Sequence, residues 1–415
     1  MTNCNLFVNA IKDTYGKVLV QIENKNRFVI NNISATVSCG DILHKTHINS
    51  IGAAQKLDIG DETTRHSAFN AIGFYEGAEM KIKPELFNEK TGIYLGEIHH
   101  ALVWPDNDGN NSQNQKLEYN FPEINLTVTL EFIAQGPRVA FIGHSFTGLW
   151  DSSYYYFKEL AKMRGWNAQI AYSYWGGTGL AHYAGLIDGC EERADQCDKV
   201  LNSNDYYDFC IFAGNSDEAV STFSGSVGAQ DFSQRKQMLE GAKILNKKAL
   251  QNSAETILWV PQAYWFGFFK DMGVKPWREG KPGEQYKQNN ESYTLTLSNK
   301  QMTDLNMNWY SKMAEELISC RIAPVAEAYR IIIENYINDV DPFVPFGEEC
   351  GDFGHQNNLG NYIAACVLYS LIFGESPEGL GIPTSHTFGM GGGKIAPHQA
   401  RIIQEVAWQV TKKYC

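Results

Sequence analysis

The chain has 415 residues, 43% of them hydrophobic and 20% charged, with a formal net charge of −12. That length exceeds one ordinary core, so two or three domains are expected. The acidic balance, without any run of Lys or Arg, excludes a nucleic-acid partner, because binding phosphates needs a basic footprint. The most apolar stretch, 363–373, is about half of what a bilayer crossing needs, so no membrane partner is expected either.

Residues 1–136 carry short alternating runs, KVLVQIEN, FVINNISATVSC and LTVTLEFIA among them, separated by Gly, Asn and Asp clusters. Alternation of period two with closely spaced turn signals predicts antiparallel strands, and an all-β, sandwich-like domain of that extent. Its adjacent His99 and His100 point to opposite faces of any strand, which argues against a shared metal. The start of the chain, MTNCNLFVNAIKDTYG, lacks the basic and apolar runs of a secretory signal, so the expected location is cytoplasmic, or outside by a route without a cleavable signal.

From Pro137 to Cys415 strands and helices alternate. RVAFIG (138–143) is an apolar strand and 150–166 a helix. NAQIAYS (167–173) is the second strand and YDFCIFAG (207–214) the third. A helix near 231–252 follows, then the strand ETILWVP (255–261), a long aromatic-rich loop to about 297, a helix at 299–319, a strand at 321–325 and a helix at 326–337. Such alternation predicts a parallel sheet covered on both faces, a flavodoxin-like three-layer α/β/α domain over 137–415. Ligands of these sheets sit beyond the carboxyl ends of the strands.

The chemistry-bearing residues fall at those ends. Ser145 follows the first strand in GHSFTG, where a serine is either a nucleophile or a helix N-cap. The second strand leads into Gly176-Gly177-Thr178-Gly179, a turn able to offer a bare backbone N–H to an oxyanion; Gly176 competes with Gly177 for that role. Asn215 follows the third strand and is either an amide donor or a turn residue. Asp352 and His355 stand three apart ahead of QNNLGNYIAACVLYSLIFG, a predicted helix stopped by Gly374. There the carboxylate can orient the imidazole as the acid of a Ser-His-Asp triad does.

The order Ser, Gly, Asn, DxxH over 137–415 resembles the SGNH hydrolase superfamily, in particular a bacterial subgroup whose first block reads GNSFT. The resemblance implies Ser145 as nucleophile, Asp352 and His355 completing the triad, and an oxyanion hole from the Ser145 N–H, the Gly177 N–H and the Asn215 amide. It also implies an esterase that removes an acetyl or short acyl group from a small-molecule or polysaccharide ester, with no cofactor and no metal. Two departures stand out: His144 occupies a position usually held by Asp or Asn, and the third block is GNSD rather than GxND. The lipase elbow GxSxG is the rival motif, but position 147 is Thr, and Ser145 follows the first strand of its domain.

The aromatic segment Tyr264-Trp265-Phe266-Gly267-Phe268-Phe269 is either a substrate-facing loop or local packing. The altered Asn block leaves open a catalytically weakened carbohydrate-binding or surface-assembly protein. Nine cysteines without a CxxC pair give no zinc ribbon or thioredoxin motif, and Cys190 and Cys197 are spaced for a local bridge.

Overall fold

The structure, a computed structural model, describes residues 6–12, 18–39, 42–51, 56–58, 87–88, 93–95, 97–105, 113–122, 125–133, 136–148, 152–201, 206–216, 218–219, 233–264, 268–269, 285–288, 291–336, 355–383 and 395–415. It divides into two compact units: Met1–Pro137 with Arg164–Ala168, and Arg138–Met163 with Gln169–Cys415.

The first unit is all β. Its strands are β1 (Leu6–Lys12), β2 (Val18–Asn24), β3 (Ile30–Cys39), β4 (Ile42–Ile51), β5 (Lys56–Asp58), β6 (Phe87–Asn88), β7 (Ile93–Leu95), β8 (Glu97–Pro105), β9 (Gln113–Phe121) and β10 (Leu126–Ile133). They form two five-stranded sheets, in the orders β5-β2-β1-β7-β6 and β4-β3-β10-β9-β8. Alternation sets the faces: Leu126, Val128, Leu130 and Phe132 of β10 are buried while Thr127, Thr129 and Glu131 are not. The Tyr119 hydroxyl donates to the Leu6 carbonyl and so ties one sheet to the other. Trp166 belongs to this unit and meets Phe28 edge-to-face, centroids 5.1 Å apart. A β-bulge interrupts β8 between Ile98 and His100, so simple alternation does not describe the His99-His100 pair.

The second unit holds a parallel five-stranded sheet of β11 (Arg138–Gly143), β12 (Gln169–Tyr174), β13 (Phe209–Ala213), β14 (Glu255–Trp259) and β18 (Cys320–Ala323), in the order β12-β11-β13-β14-β18. β11, β13 and β14 are apolar runs buried almost throughout, as central parallel strands must be, whereas the edge strand β12 is mostly exposed or half-buried. The helices are α1 (Ser145–Gly148), α2 (Ser153–Met163), α3 (Leu180–Tyr183), α4 (Glu191–Leu201), α5 (Ser233–Gln251), α6 (Asn299–Glu316), α7 (Val325–Tyr336), α8 (Asn358–Phe373) and α9 (Pro397–Thr411). On one face Leu180, Leu201, Met238, Leu245 and Tyr310 pack against Ile142, Cys210, Phe212 and Leu258. On the other, Phe141 meets Phe157 of α2, which meets Phe373 of α8. This is a three-layer α/β/α fold with flavodoxin-like strand order.

Several expectations need correction. The helix expected at 150–166 is the shorter α2, which starts after Ser152 with its left-handed φ of 42°, and an additional single turn, α1, precedes it at Ser145–Gly148. The supposed unstructured aromatic loop contains three strands, β15 (Phe268–Phe269), β16 (Gln285–Gln288) and β17 (Glu291–Leu297), in the order β15-β17-β16. Trp265, Phe266 and Gly267 lie outside the described residues. A further helix that the sequence reading did not include, α9, follows the one after His355, with Pro397 at its first turn. Cys190 and Cys197 are free thiols, Cys197 being buried in the core on α4.

Candidate functional site

The site forms at the carboxyl ends of β11, β12 and β13. β11 stops at Gly143, where a Cβ would lie 2.7 Å from the Thr147 side chain and 2.9 Å from the Ala213 Cβ. Thr147 folds back, its N–H and its hydroxyl both donating to the His144 carbonyl at 2.9 and 2.7 Å. That closed turn holds Ser145 half-buried at the strand end. There the Ser145 Oγ lies 2.8 Å from His355 Nε2. A hydroxyl and an imidazole in hydrogen-bond contact are the first pair a serine hydrolase needs.

The pair, 210 residues apart in sequence, is brought together by a buried side chain that the sequence did not reveal. Gln356 donates through Nε2 to the Phe146 carbonyl at 2.6 Å and to Asn361 Oδ1 at 3.0 Å. The residue after the histidine is thus bonded to the residue after the serine. Asn361 also accepts from the Ser153 hydroxyl at 3.0 Å, joining α8 to α2. α8 itself is capped by the Asn357 side chain, which accepts from the Gly360 N–H, and ends at Gly374 with φ 69°. Phe146 meets the His355 ring edge-to-face at 5.4 Å. Asp352 lies outside the described residues.

His144 is not a second base. Its Nε2 lies 2.9 Å from the Gly214 carbonyl and its Nδ1 faces the Phe146 N–H at 3.5 Å. These partners fix the tautomer: Nε2 carries the proton and donates, Nδ1 accepts. Burial lowers its pKa to about 3, with a smaller contribution in the same direction from His355. The imidazole is therefore a neutral strut between the first and third strand ends, and both its nitrogens are engaged. His182 is likewise committed, its Nδ1 accepting from the Gly179 N–H at 3.1 Å; burial and the Arg193 charge lower its pKa.

Gly177 sits in the exposed turn after β12 with φ +64°, a left-handed conformation that glycine adopts without strain, whereas Gly176 has no such φ. Asn215 follows β13. Its side-chain amide is not engaged by another described residue, while its backbone N–H donates to Glu218 Oε2 at 2.8 Å. Ser216 is fully buried whereas Asn215 is half-buried, so of these two described residues Asn215 has the more accessible polar side chain.

Glu218 was not anticipated. Its other carboxylate oxygen accepts from the Leu180 N–H at 3.1 Å, so one side chain bridges the second and third blocks. Gly179 and Gly214 make room for it, since a Cβ at either would lie within 2.5 Å of that carboxylate. Burial and the neighbouring Glu218 charge push the Tyr310 phenol well up. The glycine spacing was the only sequence signal for this clamp, and it points equally to loop flexibility.

No protein-family model matches the chain, and no curated protein does. Among solved structures it is similar to a protein described as an SGNH hydrolase from Slackia heliotrinireducens, with 16% identity over 57% of this chain and 98% of that one and a TM-score of 0.38. It is similar to a DUF4886-family protein from Bacteroides uniformis, with 14% identity over 66% and 94% and a TM-score of 0.43. It is also similar to an acetylxylan esterase from Geobacillus stearothermophilus, with 12% identity over 59% and 97% and a TM-score of 0.38.

Proposed function

We propose that the second unit is a serine ester hydrolase that removes a short acyl group, acetyl in the first instance, from a carbohydrate. The contact of 2.8 Å between Ser145 Oγ and His355 Nε2, at the carboxyl edge of a parallel sheet, carries the reading. Ser145 Oγ attacks the acyl carbonyl while His355 takes its proton. The resulting oxyanion is held by the Ser145 and Gly177 N–H groups and the Asn215 amide. Collapse breaks the acyl C–O bond, and His355 returns the proton to the departing sugar hydroxyl. Water, deprotonated by His355, then hydrolyses the acyl-enzyme to free acid and Ser145. Asp352 is assigned the orienting role from its place three residues before His355.

The test is fluorophosphonate labelling with peptide mapping, together with p-nitrophenyl acetate hydrolysis. We expect the label on Ser145, and a fall on the order of 10⁶ in kcat for Ser145→Ala, as for loss of a triad nucleophile. Label on another serine, or more than a tenth of the activity left in a folded Ser145→Ala protein, refutes the assignment.

A further inference from the structure

The edge strand β12 turns a row of aromatic rings outward. Tyr172 and Tyr174, two residues apart and so on the same face, are 52% and 39% exposed. Their ring centroids lie 6.3 Å apart with planes at 26°. Tyr154 of α2 stacks on Tyr172 at 4.6 Å and 12°. Single exposed apolar side chains need no explanation, but near-parallel rings in series form a contiguous apolar surface whose burial is favourable.

The row leads to the serine. In the parallel register Tyr172 pairs with Phe141 and Tyr174 with Gly143, so it climbs to the strand end two residues before Ser145. There the Tyr174 ring rests on Gly148, the last residue of α1, where a Cβ would come within 2.3 Å of it. The rings are held in advance, by stacking at one end and by this close seat at the other. A ligand meeting them therefore loses little side-chain entropy on binding.

We propose that Tyr172 and Tyr174, backed by Tyr154, form a platform for the pyranose rings of a β-1,4-linked glycan beside Ser145; this rests on the reading of the site as a carbohydrate ester hydrolase. A pyranose with equatorial substituents is a plate with C–H groups on its faces and hydroxyls at its rim. Tyrosine offers the complement, an apolar face with a polar tip. The row is straight because the strand is, which suits the extended ribbon of a β-1,4 chain rather than a coiled α-linked one. An acyl or lipid chain calls instead for an enclosed apolar groove, and a solvent-facing edge strand is not one.

The experiment uses the full wild-type chain with xylohexaose and cellohexaose, which carry no ester and so are not turned over. Saturation-transfer NMR and titration calorimetry report binding. We expect transfer to the C–H protons of at least one hexaose. We expect Tyr172→Ala to weaken binding about tenfold and Tyr172→Phe, which keeps the ring, to stay within about twofold of wild type. No binding of either sugar, or equal affinity in a folded Tyr172→Ala protein, overturns the platform. Failure of the hydrolase reading is separate: it shows as wild-type protein inert toward p-nitrophenyl acetate, whatever the sugars do.

Discussion

Replacing His144 with Gln should change how the stability of the second unit depends on pH. The imidazole has an ordinary value of 6.5, and burial lowers it to about 3. In the folded protein a second proton would sit on Nδ1, against the Phe146 N–H it now accepts from, and would place a charge in the core. Between those two values the unfolded chain binds more protons than the folded one. Stability is therefore full above about pH 6.5 and declines as the pH falls toward 3. The decline is roughly 2 kcal/mol between pH 7 and pH 5, and about 5 kcal/mol when complete. Gln keeps an amide to donate and has no proton to gain, so this dependence should vanish in the variant. All the described helices lie in the second unit, and the helical circular-dichroism signal in urea reports its unfolding. The quantity to compare is the change from pH 7 to pH 5, wild type against variant, in which the other titrating groups cancel. A difference below about 0.5 kcal/mol would show that His144 is not held neutral by burial.

Other outcomes follow from the same geometry. Asn215→Ala should lower kcat by about 10²–10³ with little change in KM, because an oxyanion donor acts mainly in the transition state; near-wild-type kcat would remove it from the oxyanion hole. His355→Ala should abolish ester hydrolysis and His182→Ala should keep most of it, since His182 Nδ1 is committed to the Gly179 N–H; steady-state assays in which the two exchange behaviours would reverse the assignment. Glu218→Gln leaves a single acceptor oxygen for two backbone donors, so kcat should fall about tenfold at nearly constant KM, and unchanged kcat would mean that the clamp does not position the oxyanion donors. Residues 1–136 should be dispensable for hydrolysis of a small soluble ester. A fragment beginning at 137 bares Trp166, so we expect it to need a polar residue there for solubility, and a folded, soluble but inactive fragment would contradict the expectation.

Much of the second unit was legible because its central strands are unbroken apolar runs and its candidate site residues stand at their ends. β11, β13, β14 and β18 were placed to within a few residues. α4 escaped because Cys197 and Leu201 are its only buried residues, too thin a stripe to read as periodic. α9 was missed although Pro397 marked its start. Within the site, Ser145 and His355 were found by position and pattern. The polar contacts that place them were not, because Gln356, Asn361 and Glu218 act across 210, 208 and 38 residues of sequence. His144 looked like a flaw in a motif, and only its neighbours in space show that it joins two strand ends. The straight row of tyrosines was hidden similarly: Tyr154 is 18 residues from Tyr172, and stacking has no sequence period.

All 16 residues of α8 are buried, so this helix has no polar face to offer water. Until it docks, the growing chain carries an apolar cylinder of the sort that chaperones hold and that aggregates when they do not. His355 stands three residues before that helix, tied by Gln356 to a turn made 210 residues earlier. A nascent or clipped chain therefore has Ser145 without the His355 imidazole beside it. On the proposed reading, esterase activity counts finished copies only, and can serve as a folding assay that partly assembled protein does not satisfy.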